Sequence, residues 1–351
     1  MAYTTINNGE DHFNTVLYTG NATDNRTVTG VGFQPDWVWI KDRSNANHHR
    51  AYDSVRGANK LVIPSLGYDE ETRTDGVKSF DSDGFTLGTG SDENGNSANF
   101  VSWNWKAATA FSNSAGSNGA DLACTGRVNT TAGFSIIKAT SDSAANKTIA
   151  HGLGAVPDVI WARNLDSNYN WDCYFKVLGY NASLILNATN TTRTGAWGSN
   201  AFTTTTFNTQ ENYSSTNGEA YIYYCFTSIK GYSRFGKYEG NADTGRNGPF
   251  IYTGFKPAMV IIKGSDIAEN WWIYDNKRNV SNLVTRGLNP STSGAEVNYS
   301  AADAMNLDFL SNGFKIKSYD GALNGNNKHY VYMAFADNPF VSSAGVPTTA
   351  H

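Results

Sequence analysis

Cysteine is close to absent from this chain: Cys124, Cys173 and Cys225 are the only three, widely spaced, with no Cys-x-x-Cys pair and no histidine cluster beside them. That excludes a disulfide framework and a Cys/His zinc site, and Cys225, inside YIYYCF, reads as a small buried hydrophobe. Charge is scarce as well. Charged residues are 17% of the chain and the formal net charge is -4, so there is no basic field to neutralise phosphates, and nucleic acid is not an expected partner. Long apolar runs are missing: nothing approaches the roughly 20 residues that cross a bilayer as a helix. The start, MAYTTINNGEDHF, has neither a basic n-region nor an apolar h-region, so the expectation is cytoplasmic synthesis without membrane insertion. Also missing are GxSxG, HExxH, Walker and GxGxxG contexts, and Ser, Cys and His nowhere cluster as nucleophile and base. The reading is a non-enzymatic protein with no cofactor and no metal.

Gly, Asn, Thr, Ser and aromatic residues fill the chain instead, the aromatics reaching 13%. Asn, Gly and Ser break helices and aromatic rings pack well on pleated sheets, which predicts an all-β protein of short strands and many turns. Self-similarity is the strongest signal. A Gly-x-x-Pro step occurs at Gly32/Pro35, Gly154/Pro157 and Gly254/Pro257, and WVWIK, VIWAR and MVIIK follow in register, ending in Lys41, Arg163 and Lys263. Tyr52, Tyr174 and Tyr274 stand at one spacing beyond the prolines. SDGF (Ser82–Phe85), SNAF (Ser199–Phe202) and SNGF (Ser311–Phe314) come next and predict type I′ hairpins, whose central residues need positive φ. Each unit opens on an aromatic strand at Phe13, Phe134 or Phe235 and closes on FVSWNW, YIYYCF or YVYMAF.

The pattern divides the chain into an N-terminal segment 1–12, units 13–106, 134–227 and 235–337, and a tail 338–351. Residues 107–133, rich in Gly, Ser, Ala and Asn, have the make-up of a flexible linker that would leave unit 1 looser than units 2 and 3. Six to eight strands per unit, with turns between them and no helical period, describe three tandem two-sheet β-sandwiches. DSVRGANKLV (Asp53–Val62) reads as a helical turn or an irregular loop.

Acidic and imidazole candidates are weak. Asp81, Asp83, Asp92 and Glu93 lack the Gly and Glu spacing of a calcium loop, and Asn200 and Asn312 replace Asp83 in the other units, so Asp83 reads as a turn residue. His48 and His49, ahead of Asp53, have no histidine counterpart in units 2 and 3 and read as a solvated loop. Glycoside hydrolysis needs only two carboxylates and leaves no motif, so an envelope-degrading enzyme stays as a third reading. Trp171, Trp197, Trp271 and Trp272 sit in polar loops, where a large ring has three explanations: subunit packing, core burial, or stacking on a glycan.

Several long stretches carry a family resemblance: NTTAGFSI from Asn129, HGLG with Pro157–Asp158, IKGYSRFGKYEGNA from Ile229, GPFIYTGFKPAMVIIK from Gly248, NWWIYDNKRN from Asn270, FLSNGFKI from Phe309 and YVYMAFADNPF from Tyr330. With GFQPDWVWIKDRS to SWNWKA in unit 1, these resemble a repeated domain of tailed-phage virion proteins of the marine-phage and cyanophage type. The resemblance implies a jelly-roll or concanavalin-like sandwich in each unit and a virion structural protein of the tail or tail fibre. Its partners would be other virion proteins and copies of itself, in a ring or trimer. It supplies no catalytic residues. No heptad run for a fibre shaft is present, which keeps a capsid decoration or collar role beside the tail reading. A carbohydrate-binding host-receptor module, with Trp171, Trp197, Trp271 and Trp272 as contacts, is the alternative.

Overall fold

The computed structural model describes residues 4–142, 146–198, 200–210, 216, 218–300, 305–341, 345 and 347. Unit 1 contains β1 (Phe13–Thr19), β2 (Arg26–Thr29), β3 (Trp37–Asp42), β4 (Arg50–Asp53), β5 (Gly57–Val62), β6 (Glu71–Thr72), β7 (Val77–Asp81), β8 (Gly84–Leu87) and β9 (Asn99–Trp105). Then come β10 (Thr109–Asn113) and β11 (Cys124–Asn129), followed by unit 2 with β12 (Phe134–Thr140), β13 (Lys147–Ala150), β14 (Val159–Asn164), β15 (Asp172–Phe175), β16 (Ala182–Ile185), β17 (Arg193–Thr194), β18 (Thr206–Thr209) and β19 (Ala220–Phe226). Unit 3 contains β20 (Ser233–Glu239), β21 (Phe250–Tyr252), β22 (Phe255–Gly264), β23 (Trp272–Asp275), β24 (Arg286–Gly287), β25 (Val297–Asn298), β26 (Leu307–Leu310), β27 (Gly313–Ile316) and β28 (His329–Pro339). The protein is all-β.

Every unit follows one plan. A large antiparallel sheet runs first strand, last strand, Gly-x-x-Pro strand, next strand: β1-β9-β3-β4, β12-β19-β14-β15 and β20-β28-β22-β23. A small sheet is made from the intervening residues: β2-β8-β7, β13-β18 and β21-β27-β26. Trp37 pairs with Trp105, Val159 with Phe226 and Met259 with Phe335, so the three units share a register. Strand alternation then gives each large sheet two buried faces. Val38 and Ile40 turn to unit 1's own core, and Trp37 and Trp39 to a core common to all three units. In unit 2, Ile160 and Ala162 face the private core while Val159 and Trp161 face the common one. Burial on both faces is why these strands read as unbroken apolar runs.

The common core is aromatic. Ring centroids of Trp37 lie 4.4 Å from Tyr224 and 5.9 Å from Trp161, across the unit 1–2 boundary. Phe335 closes the other two boundaries, 5.2 Å from Phe13 and 5.9 Å from Phe226.

Four expectations are corrected. Residues 107–133 are no flexible linker: β10 pairs with β11, and β11 with β12, extending the large sheet of unit 2 by two strands. Their small residues suit an edge that lies flat; a Cβ at Gly126 would fall 2.0 Å from the Ile136 carbonyl oxygen. Unit 1 is therefore not looser, since it shares the common core. Asp53–Val62 is a turn followed by β5. The SDGF and SNGF hairpins form, but their loop residues, Ser82-Asp83 and Ser311-Asn312, all have negative φ. Close approach requires the glycine in both: a Cβ at Gly84, which also has a φ of 154°, would meet Val28 O at 1.9 Å, and at Gly313 Ile251 O at 2.1 Å. In unit 2 the equivalent stretch makes no such hairpin, and its Ser199 lies outside the described residues, as does most of the C-terminal tail.

Candidate functional site

The four loop tryptophans are all buried, Trp171 and Trp197 at 0%, Trp271 at 1% and Trp272 at 7% exposure, so none offers a face to a sugar ring and the glycan contact assigned to them is withdrawn. Trp197 packs in the private core of unit 2 against Phe202 and Phe207. Trp272 lies on Tyr274 and Tyr299 within unit 3. Trp171 and Trp271 do something different: each reaches into the next unit.

Trp171 Nε1 donates to the carbonyl of Ile63 in unit 1 at 3.0 Å, and Trp271 Nε1 to that of Ile185 in unit 2 at 2.8 Å. The same position in unit 1, three residues before Tyr52, is His49. Trp39 Nε1 donates to its Nδ1 at 2.9 Å, which leaves the proton on Nε2, 2.9 Å from the carbonyl of Asn289 in unit 3. Thus His49 is buried in a joint, not in a solvated loop. Three ring N–H groups at one repeat position each bond a neighbour's backbone, 2 to 1, 3 to 2 and 1 to 3. A head-to-tail contact repeated around an axis closes into a ring, and here it closes within one chain.

A second ring, of backbone groups, runs beside it. The N–H of Glu70, Thr192 and Glu296 donate to the carbonyls of Leu165, Ser265 and Arg43 at 2.9, 2.7 and 3.0 Å. Those acceptors each lie two residues beyond Arg163, Lys263 and Lys41, the basic residues that end the three matched strands. All three cations are fully buried and hold loop carbonyls. Lys263 Nζ reaches Gly264 O at 2.7 Å and, across the joint, Thr189 O at 3.2 Å. Arg163 bonds Tyr169 O and, in unit 1, Tyr68 O. Burial brings the Lys41 and Lys263 ammonium groups down to about 8.

Units 1 and 3 add an acid chain that unit 2 lacks. Asp53 Oδ2 accepts from Arg56 Nε at 2.5 Å and from Tyr224 of unit 2 at 2.7 Å. Arg56 continues to Glu70 at 3.2 Å. Asp275 Oδ2 likewise accepts from Arg278 Nε at 2.6 Å and from Trp103 of unit 1 at 3.1 Å, and Arg278 continues to Glu296 at 3.1 Å. Glu296 also meets Arg43 at 2.8 Å and Arg286 at 2.7 Å. Burial alone would raise its carboxyl, but hydrogen bonds from Arg43 and Arg286 and the charge of Arg278 hold it at about 2. In unit 2 the corresponding places belong to Phe175, Leu178 and Thr192, and Phe175 lies 6.1 Å from Trp271.

The buried histidines make the assembly acid-sensitive. Burial pushes His49 well below its ordinary value, helped by Lys41, and brings His151 down to about 4. A base whose folded value is depressed stabilises fully above its unfolded value near 6.5, and that stability is lost as pH falls from there toward the folded value. At about 1.4 kcal/mol per pH unit, His151 alone accounts for roughly 3 kcal/mol between pH 6.5 and 4. Urea denaturation at stepped pH should show stability falling from about pH 6.5 downward; a flat profile to pH 5 would contradict it.

Two open clefts stand out, the first of them at the joint between units 2 and 3. That cleft, of about 510 Å³, includes Lys237, Ser265, Asp266 and His329 in its lining. His329 Nδ1 lies 2.8 Å from Asp266, an acid–imidazole pair. The nearby hydroxyls of Thr192 and Ser265 both donate to backbone carbonyls, those of Ser265 and His329. The other, of about 670 Å³, opens on unit 3 between β20 and β21 and is lined by Lys230, Arg234, Tyr252 and Gly254 among others. Asp83 sits in the β7–β8 turn, as expected, and its carboxylate accepts from the N–H of Gly30 and Gly32 in the loop that follows β2. All three cysteines are free and buried. Among the described residues no group of three His, Cys, Asp or Glu side chains is placed to hold a metal, and no helix is long and apolar enough to cross a membrane.

In comparisons with known proteins, residues 8–339 match a family described only as a domain of unknown function, DUF7483. No match to a curated protein is found.

Proposed function

Because the chain belongs to the DUF7483 family over nearly its whole length, a family defined without an activity, the geometry must carry the reading, and we propose that the protein is a non-enzymatic structural subunit of a tailed-phage particle, placed in its tail or tail fibre. The observation that supports this most is the closed ring of three joints. Its aromatic and charged residues are committed to fusing three sandwiches into one block, as Trp171 and Trp271 are, along with Asp53, Asp275 and Glu296. A rigid three-lobed block suits a part that must hold shape under load in an assembly. The ring also changes the assembly expectation: the three-fold packing that the resemblance assigns to copies of the protein is already present inside one chain. Further copies would add to a body that is complete in itself.

The test is localisation. Purified virions of the virus that carries the gene, imaged with this protein labelled, should show label on the tail. Label confined to the capsid surface or collar would move the assignment there, and a protein abundant in infected cells but missing from purified particles would end the reading.

A further inference from the structure

At two of the three joints an ion pair stands beside the backbone ring: Arg56 with Glu70 at 3.2 Å where unit 1 meets unit 2, and Arg278 with Glu296 at 3.1 Å where unit 3 meets unit 1. At the joint between units 2 and 3 the same repeat positions hold Leu178 and Thr192, and both line the 510 Å³ cleft. Leu178 is half-buried and packs against the common core. Thr192 keeps the backbone bond of the ring and gives its hydroxyl to the same Ser265 carbonyl at 2.8 Å. A place that takes two long charged side chains elsewhere is left here to two short ones. Hollows between domains, with an apolar patch and a few fixed polar groups, are where small ligands bind.

Unit 3 supplies the polar wall. His329 donates its backbone N–H to Asp266 Oδ1 at 2.9 Å, and its ring Nδ1 lies 2.8 Å from Oδ2. The carboxylate accepts, so Nδ1 carries the proton and Nε2 of the neutral ring is an acceptor. Glu239 Oε2 stands 3.9 Å from that Nε2, beyond hydrogen-bond reach. The Lys237 ammonium and the Thr191 hydroxyl line the same cleft, and neither has a hydrogen-bond or ion-pair partner among the described residues. The lining therefore offers free donors on Lys237 and Thr191 and free acceptors on His329, Asp266 and Thr191. Its one cation and one carboxylate cancel in charge. Leu178 also lines a second hollow, of about 410 Å³, together with Tyr180, which is 42% exposed.

We propose that the joint between units 2 and 3 binds a neutral saccharide of two or more pyranose residues, one over Leu178 with its hydroxyls on Lys237, Asp266 and His329, the next in the adjoining hollow against Tyr180. A pyranose joins hydroxyls that both donate and accept to an apolar face of C–H groups, and this lining presents both kinds of polar partner beside an aliphatic side chain and, in the next hollow, an aromatic ring. A charged ligand would gain from one of Lys237 and Asp266 and be opposed by the other. The buried loop tryptophans take no part. This inference is independent of the virion reading: a protein missing from particles would remove that reading and leave the cleft as it is.

The probes are cellobiose, lactose and maltose, with digalacturonate and the glucosamine dimer as anionic and cationic controls, titrated against the full chain by saturation-transfer difference NMR. At least one neutral disaccharide is expected to bind, with both charged controls weaker by about tenfold. Lys237→Ala removes an exposed side chain, so it should leave thermal unfolding unchanged and weaken the disaccharide by about tenfold. Tyr180→Ala should weaken the disaccharide and leave the matching monosaccharide unaffected. The double variant Leu178→Arg with Thr192→Glu supplies the pair that the other two joints carry and should abolish binding; if it unfolds early, Lys237→Ala decides alone. No binding of any neutral disaccharide at about 50 mM would overturn the proposal. Binding that survives undiminished in either variant, folded as the parent, would place the sugar elsewhere and overturn it too. Digalacturonate binding more tightly than the neutral sugars, and lost in Lys237→Ala, would make the cleft an anion site instead.

Discussion

Trp37→Ala should cost about 3–5 kcal/mol, the range for truncating a large buried ring, and it should lower a single unfolding transition and not the first of three. Trp37 sits at 1% exposure in the common core, with Trp105 at 4.4 Å in its own unit and Tyr224, Trp161 and Phe134 across the boundary at 4.4, 5.9 and 6.1 Å. Removing it opens a cavity that the facing sheets cannot close without moving the joints. Trp37→Phe should cost far less, because the Trp37 Nε1 is buried without an acceptor among the described residues, and the matching positions in units 2 and 3 are Val159 and Met259. Indole hydrogen bonding is not what the site uses. The measurement is calorimetry with urea denaturation on both variants. Separate transitions for the three units in the parent chain, or equal losses in both variants, would contradict a shared core filled by bulk.

Much of this was legible beforehand. The Gly-x-x-Pro steps located three central strands because a strand buried on both faces has to be apolar at every position, and the closing strands aligned for the same reason. The aromatic pattern opens unit 3 at Phe235, whereas Ser233 is the structural counterpart of Phe13 and Phe134, since it is Ser233 that faces Phe335. Trp171 and Trp271 stand out in the sequence, yet their polar neighbours Asn170 and Asn270 mark only a loop and do not say what the loop packs against. His49 occupies the same repeat position, and the signal that could have linked them is the ring N–H donor common to Trp and neutral His. The carbonyls of Arg43, Leu165 and Ser265 carry no side-chain signature, so the backbone ring was not readable at all. A Gly/Ser/Ala-rich stretch looks alike whether it is a tether or a flat edge strand, and only the partner strand decides between them.

Asp275→Phe is expected to lose about 3–5 kcal/mol, because it strands the Arg278 guanidinium in the joint between units 3 and 1. Both side chains are at 0% exposure, and Arg278 also lies 5.6 Å from the Trp103 ring. Glu296, 3.1 Å away, remains, but it is shared with Arg43 and Arg286. Burying two charges gains little over burying two apolar groups of similar size, whereas burying one alone is costly. Unit 2 already carries the apolar solution, with Phe175 and Leu178 in the places of Asp275 and Arg278. Copying it in the double variant Asp275→Phe with Arg278→Leu should therefore restore part of the stability lost in Asp275→Phe alone. The double-mutant cycle should give a coupling of about 2 kcal/mol or more, with Trp103 Nε1, deprived of its acceptor, keeping the recovery incomplete. Additive losses in urea denaturation would mean that the aspartate and arginine act separately, and that the apolar joint of unit 2 is no guide to what the joint of unit 3 requires.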